Sequence, residues 1–316
     1  MKKTILFVST LIVSMSVTTG FVFSRLTQTM RARINAKDLQ EYGLTVIKPS
    51  DPDFDRLASE SLGGVPSDEI ESLKPLSVFI KNTGNKIVVS YAIVWEGVEA
   101  GGKRKAFKMF SANSEALTDP QEFFDALPRT NLDATIRPGR TRLISLLPLP
   151  LSVRSGGAGG FGGRNQDGQQ GSTDGGATEL RQRSSELLAR YTDLTVTIDG
   201  VFFDDGTFVG PDDTGFFDRM KAQVEAKLEL RRGIAEKLGH GKSKDEIFKD
   251  IEAKAGANTN VQSLARISSP TDAYNFFSRF FAGQILTNRK AYGSERALEK
   301  ALGPKNRPEI VLRKVK

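Results

Sequence analysis

Four aspartates in one short tract, Asp204, Asp205, Asp212 and Asp213, are the side chains best placed by type and spacing to do chemistry. Carboxylate oxygens that bracket a turn can hold a hard cation such as calcium. Their spacing fits no EF-hand loop, and turn and helix-start duties would account for all four. Asp204, Asp205, Asp212 and Asp213 are therefore the metal candidates, with no catalytic or cofactor-binding residue beside them and no cofactor expected. His240 is the only histidine in the sequence, so a Ser-His-Asp triad would have to use it, and no Gly-x-Ser-x-Gly elbow accompanies it. Zinc sites of the usual kind need several His or Cys ligands. Gly239-His240-Gly241-Lys242-Ser243 ends like a phosphate loop, yet the loop's first glycine would fall at Glu236, with no strand before it. The chain has no cysteine, which removes disulfides, thiolate metal sites and cysteine nucleophiles together. A carboxylate pair for glycoside hydrolysis depends on three-dimensional separation, so an acid-residue hydrolase stands as one alternative function.

The elements that position the aspartates read clearly. Leu194, Val196 and Ile198 alternate with Thr195, Thr197 and Asp199, the period of a half-buried strand. Gly200 interrupts that alternation, and Asp204-Asp205-Gly206 supplies a hairpin tip before Thr207–Val209 returns. Gly210-Pro211 stops the strand, and Asp212 or Asp213 can accept amide hydrogens at the start of a helix. Upstream, Leu76, Val78 and Ile80 alternate, and Asn82–Asn85 turns the chain into the best-patterned strand. There Ile87, Val89, Tyr91, Ile93 and Trp95, the only tryptophan, share one face and should be core rather than a ligand platform. The tip Glu99–Gly102 leads to the basic run Lys103-Arg104-Lys105, which suits phosphate or lipid headgroups and equally guards an edge strand against aggregation. Asp119-Pro120 opens a short helix with Asp119 as cap, and Arg137-Pro138-Gly139-Arg140 is a type II turn. Between Ser155 and Thr178, 10 of 24 residues are glycine, too few apolar groups to order the insert. A short helix follows over Thr178–Tyr191.

After Asp213 the pattern turns helical. Phe217, Met220, Val224, Leu228, Ala235 and Leu238 predict one long amphipathic helix. Ser243-Lys244-Asp245-Glu246 is a capping box, and Ser269-Pro270 starts a helix whose stripe is Ala273, Tyr274, Phe277, Phe280, Phe281 and Ile285. That stripe has helical period without interleaved polar ligands, so it reads as core. The tail Ile310–Lys314 is either disordered or an added edge strand.

Several short strands separated by turns, with no regular strand–helix rhythm, predict an α+β chain: an antiparallel β-sandwich followed by a C-terminal helical subdomain. The predicted organisation is a signal peptide or anchor at 1–24, a sandwich over 38–212 with its flexible insert at 155–178, a helical subdomain over 213–303, and a tail over 304–316. The runs VFIKNTGNKIVVSYAIVW and IRPGRTRLIS resemble the turns of immunoglobulin-like or fibronectin-type bacterial extracytoplasmic sandwiches. IDGVFFDDGTFVGPDD is similar to a tract of uncharacterised secreted bacterial proteins. The resemblance implies a fold and an exported location but no activity, and the lack of cysteine departs from the antibody-type pattern.

Lys2-Lys3 followed by the apolar run Ile5–Val13 has the form of a bacterial secretory signal, so export to the periplasm or exterior is expected. Residues 4–23 stay apolar for about a membrane's thickness and can instead remain as an inner-membrane anchor. Residues 1–33 carry five cations and no acid, residues 34–216 carry 19 cations and 26 acids, and residues 217–316 carry 21 and 12. The net charge of +7 therefore hides an acidic β-part joined to a basic helical part. The sequence points to an exported, non-catalytic binding or structural protein. A second alternative makes the basic helices an adaptor for a protein or an anionic surface: lipid headgroups, cell-wall polymer or nucleic acid.

Overall fold

The computed structural model describes residues 33–62, 67–120, 123–124, 135–147, 176–256, 269–303 and 309–315. The predicted signal or anchor at 1–24, residues 155–175 of the glycine-rich insert and residues 304–308 of the tail lie outside these. Among the described residues the chain is mixed α+β, with eight α-helices, two sheets and the long helices at the C-terminal end.

The larger sheet forms around two strands whose apolar residues alternate over unusual length. In chain order, β1 spans Arg33–Lys37, β2 Leu44–Ile47, β3 Ser77–Asn82, β4 Val88–Glu99, β5 Arg104–Ser111, β6 Thr141–Ser145, β7 Tyr191–Phe203, β8 Thr207–Val209 and β9 Arg313–Lys314. β4 and β7 pair antiparallel over most of their length, and β5 extends the sheet beyond β4. The other edge of β7 carries β1 along its first half and β8 along its second, with β9 outermost. The smaller sheet has the order β2-β3-β6 and is antiparallel. The larger one is mixed, which corrects the expectation of purely antiparallel strands: β1 runs parallel to β7, and β9 parallel to β8. Both come from distant parts of the chain, so no hairpin imposes their direction.

The two sheets share one apolar cluster, with Val78, Ile80 and Ile144 from one face of the smaller sheet, Phe79 and Leu143 from its other face, and Tyr91, Trp95, Leu194 and Val196 from the larger. Helices α1 (Phe54–Ser61) and α2 (Ser67–Leu73) contribute Phe54, Leu57 and Leu73. Trp95 is 0% exposed, as its strand face predicts. Burying roughly 200 Å² of indole is worth about 5 kcal/mol, which outweighs the indole N–H having no acceptor among the described residues.

The expected face of β4 is half correct. Tyr91, Ile93 and Trp95 point into this core with Val88, whereas Val89 lies in the opposite cluster and Ile87 packs on that same side. The pairing of β4 with β7 slips between Val88 and Ser90, and one extra residue exchanges the two faces. A second slip leaves Asp199 unpaired on β7, so Leu194, Val196 and Ile198 face the core before it and Val201 and Phe203 after it. The predicted Asn82–Asn85 turn does not join neighbouring strands but carries the chain from one sheet to the other. Asn82 makes that corner: its Nδ2 donates to the carbonyls of Lys86 and Ile136, each at 2.8 Å, and its Oδ1 accepts from the Gly84 amide at 3.0 Å. The Arg137–Arg140 turn forms as expected, the Arg140 amide donating to the Arg137 carbonyl at 3.0 Å.

Helix α3 (Ser114–Thr118) follows β5, and α4 (Gly176–Arg190) leads into β7 with Leu180 in the core. The second face of the larger sheet is covered by α5, Phe216–Gly239, whose Phe216, Met220 and Val224 meet Val89, Ala92, Phe202 and Phe208. The second half of α5 joins α6 (Lys244–Ala255), α7 (Pro270–Tyr292) and α8 (Ser294–Leu302) in a separate apolar cluster. The single stripe predicted for α5 therefore breaks. Its buried positions shift to Ala226, Leu230 and Ile234, and Ala235 is exposed, because the helix changes partners halfway. The α7 stripe is core as read, with Ala273, Phe277, Phe281 and Ile285 buried and Tyr274 and Phe280 packed beside them. Of the two readings for the tail, the edge strand forms: Arg313–Lys314 pairs with β8 while Ile310 and Leu312 pack beneath.

Candidate functional site

The four candidate aspartates sit at the two ends of the β7–β8 hairpin. At the tip, Gly206 takes a φ of +80° and its amide donates to the Phe203 carbonyl at 3.0 Å, so the predicted turn forms. Asp204 accepts from the Ile87 amide at 3.3 Å, and Asp205 accepts from the Thr207 amide at 3.0 Å and pairs with Lys86 at 2.7 Å. Burial pushes the Asp205 carboxyl up, but Lys86 and the Thr207 amide outweigh it and hold the pKa below the ordinary value. At the base, Asp212 accepts from the Phe217 amide at 3.0 Å and pairs with Lys314 of the tail at 2.8 Å. Asp213 is exposed. The hairpin thus separates Asp204 and Asp205 from Asp212 and Asp213 rather than gathering them. Among the described residues no group of three or more His, Cys, Asp or Glu side chains could hold a metal ion.

The hairpin base is organised by a residue that the periodicity argument passed over. Asp199, left over at the bulge, is 1% exposed. Its carboxylate accepts from the amides of Asp213 at 2.8 Å and Thr214 at 3.1 Å and from the Thr214 hydroxyl. Three donors satisfy a buried carboxylate and pin the loop that launches α5. The only sequence signal was an aspartate on the polar side of a strand, directly before the interrupting Gly200.

A second polar centre joins the sheets to the helices. Asp119 was expected to cap the helix begun at Pro120; its carbonyl does accept the Phe123 amide at 2.9 Å, but its carboxylate is spent elsewhere. It accepts from Arg231 Nη2 at 2.8 and 3.0 Å and lies 3.0 Å from Lys227 Nζ, both on α5. Arg231 Nε also donates to the Ala301 carbonyl at the end of α8, 3.0 Å away. The Asp119 side chain is 8% exposed. Burial alone would push its carboxyl up, but the two cations outweigh that and hold it below the usual carboxylate range. Gly303 closes the cluster, since a Cβ there would stand 2.9 Å from both Arg231 Nη2 and Asp119 Oδ1. The signal available was a pair of cations four residues apart beside the buried stripe of α5.

The remaining motifs have structural roles. His240 is exposed at the end of α5, and its segment joins two helices rather than a strand to a helix. Lys242 pairs with Glu246 at 3.2 Å, and the Ser243 capping box forms. A groove of about 450 Å³ between α5 and α6 has Leu230, Ile234, Ile247 and Ile251 in its lining. Of its acidic residues, Asp250 is held by Lys237 and Glu229 by Lys254. A smaller depression of about 180 Å³ lies by α1, where Arg56 binds both Asp53 and Glu60. No protein-family model matches this sequence, and neither a curated protein nor a solved structure matches it.

Proposed function

We propose that this chain is an exported, non-catalytic binding or structural protein of the bacterial envelope, its two-sheet half an immunoglobulin-like sandwich akin to those of uncharacterised secreted bacterial proteins. The observation that carries the reading is the N-terminal sequence: Lys2-Lys3, the apolar run Ile5–Val13 and no acidic residue before Asp38. The geometry lends support, because the residues with chemical potential already have mechanical work. Asp199, Asp205 and Asp212 hold the hairpin, and Asp119 ties α5 to the sheets. Two sheets sharing one core favour the sandwich, and the covered second face explains why α5 is built into it. The excess charge of the helical part supports the anionic-surface reading less than its sum suggests. Lys227, Arg231, Lys237, Lys244, Lys254 and Arg289 each hold a carboxylate.

The experiment is fractionation of a bacterial host producing the full chain or a form lacking residues 1–24. The full chain is expected outside the cytoplasm, soluble in the periplasm if cleaved and in the membrane fraction if not, with the shortened form inside. A full chain that stays in the cytoplasm, or a shortened one that leaves it, overturns the reading.

A further inference from the structure

The topology assigns an orientation to the basic run at the β4–β5 tip. Because β1 is parallel to β7, Arg33 stands level with Asp193 near the start of β7, and Asp193 stands level with Val98. Val98 in turn is level with Arg104. The chain therefore enters the sheet at the same end as Lys103, Arg104 and Lys105. Three strand spacings separate β1 from β5, roughly 14 Å. All four cations are exposed. Of the acids beside them, Glu96 is held by Arg104 at 2.8 Å and Glu99 by Arg190 at 2.8 Å, while Asp193 stands on β7 next to Arg33, so the cations outnumber the uncommitted acid at this end. Lys103 has no carboxylate partner among the described residues, and Lys105 Nζ lies over the Phe107 ring at 5.1 Å. The other end of β7 leads to the hairpin tip, where Asp204 and Asp205 stand and Asp205 is paired with Lys86.

Only residues 24–32 separate the apolar segment from β1, a reach of at most about 30 Å. The geometry points to a membrane contact: the end of the larger sheet bearing Arg33, Lys103, Arg104 and Lys105 seats on the anionic headgroups of the bilayer that residues 4–23 enter. The inference rests on the retained-anchor form of the exported reading. Each such cation near an anionic surface strengthens contact about fivefold, so the three of the tip together contribute roughly a hundredfold. The β7–β8 hairpin tip then faces away from the lipid, and the contact weakens with salt.

The chain has no cysteine, so one introduced at Gly101, where a side chain meets nothing within 4 Å, carries a unique fluorophore. Asn85, exposed at the opposite end of β4, carries the control label. The full chain, as G101C or N85C, is reconstituted into phosphatidylglycerol vesicles and into phosphatidylcholine vesicles, both containing a headgroup-linked nitroxide quencher. Quenching is expected for G101C alone, in phosphatidylglycerol alone, and lost in high salt. K103Q/R104Q/K105Q should lower the ratio of docked to undocked chain roughly a hundredfold. A chain that floats with both vesicles but shows an unquenched G101C label, or quenching at N85C instead, overturns the headgroup contact and leaves the anchor standing. Flotation only with phosphatidylglycerol, with G101C quenched, upholds the contact and refutes the anchor. Flotation with neither refutes both.

Discussion

Asp119 shows how one side chain can decide whether two halves of a chain behave as one. Its carboxylate is desolvated, and only Lys227 and Arg231 make that tolerable. Removing one member of such a buried group leaves the others uncompensated, a loss of about 3 kcal/mol or somewhat less here, because the cations keep part of their water. Asp119→Asn should lower the denaturant midpoint accordingly, with the slope unchanged. The sign of the pH effect follows from linkage. The folded-state pKa lies below the unfolded value of about 3.9, so the stabilisation is present above that pH and is lost as pH falls through the folded value. Denaturation of the unaltered protein should therefore steepen in its pH dependence below about pH 4, and Asp119→Asn should flatten that part. A variant with unchanged stability and unchanged acid sensitivity would mean that the three charges are merely adjacent.

Among the elements, the β7–β8 hairpin carries the sharpest packing constraint. The Phe208 ring lies against Gly200, where an added Cβ would fall 2.2 Å from Cζ. Phe208 in turn packs on Phe202 with centroids 4.8 Å apart and reaches Phe216 of α5. Gly200→Ala must push the ring outward, and such overpacking costs about 1–3 kcal/mol. Phe208→Leu alone should also destabilise, yet adding it to Gly200→Ala should recover part of the loss, since the smaller side chain leaves room for the methyl. Strictly additive effects in a double-mutant cycle would show that the two positions do not meet. This constraint explains why a strand pattern that looks interrupted at Gly200 is continuous in space.

At the scale of the whole molecule, α5 is shared by two apolar clusters, one on the sheet and one in the helical bundle. A continuous helix and the Asp119 clamp should couple them. Trp95, the only tryptophan, reports the two-sheet core, while far-ultraviolet circular dichroism reports mainly the helices. In the unaltered protein the two signals should unfold together. In Arg231→Met, which removes the guanidinium while keeping an apolar stem, the helical signal should be lost first. Coincident transitions in the variant would show that the helix alone suffices to couple the halves.

Local periodicity was enough to mark most strands, the Ser243 and Ser269 caps, the turns at Gly139 and Gly206 and the aromatic core stripe of α7, because each depends on neighbours within a few residues. Tertiary structure alone decided the rest. A bulge at Val89 moved two apolar residues to the other face, which no alternation count can foresee, since an extra residue is defined only against a partner strand. The roles of Asp199, Asp119 and Asn82 likewise depend on hydrogen-bond partners as many as 112 residues away in sequence. The four aspartates adjacent in the chain proved to be parted by the hairpin they build. Sequence spacing sets what can be near, but the buried partner that satisfies a charge is chosen only when the elements pack.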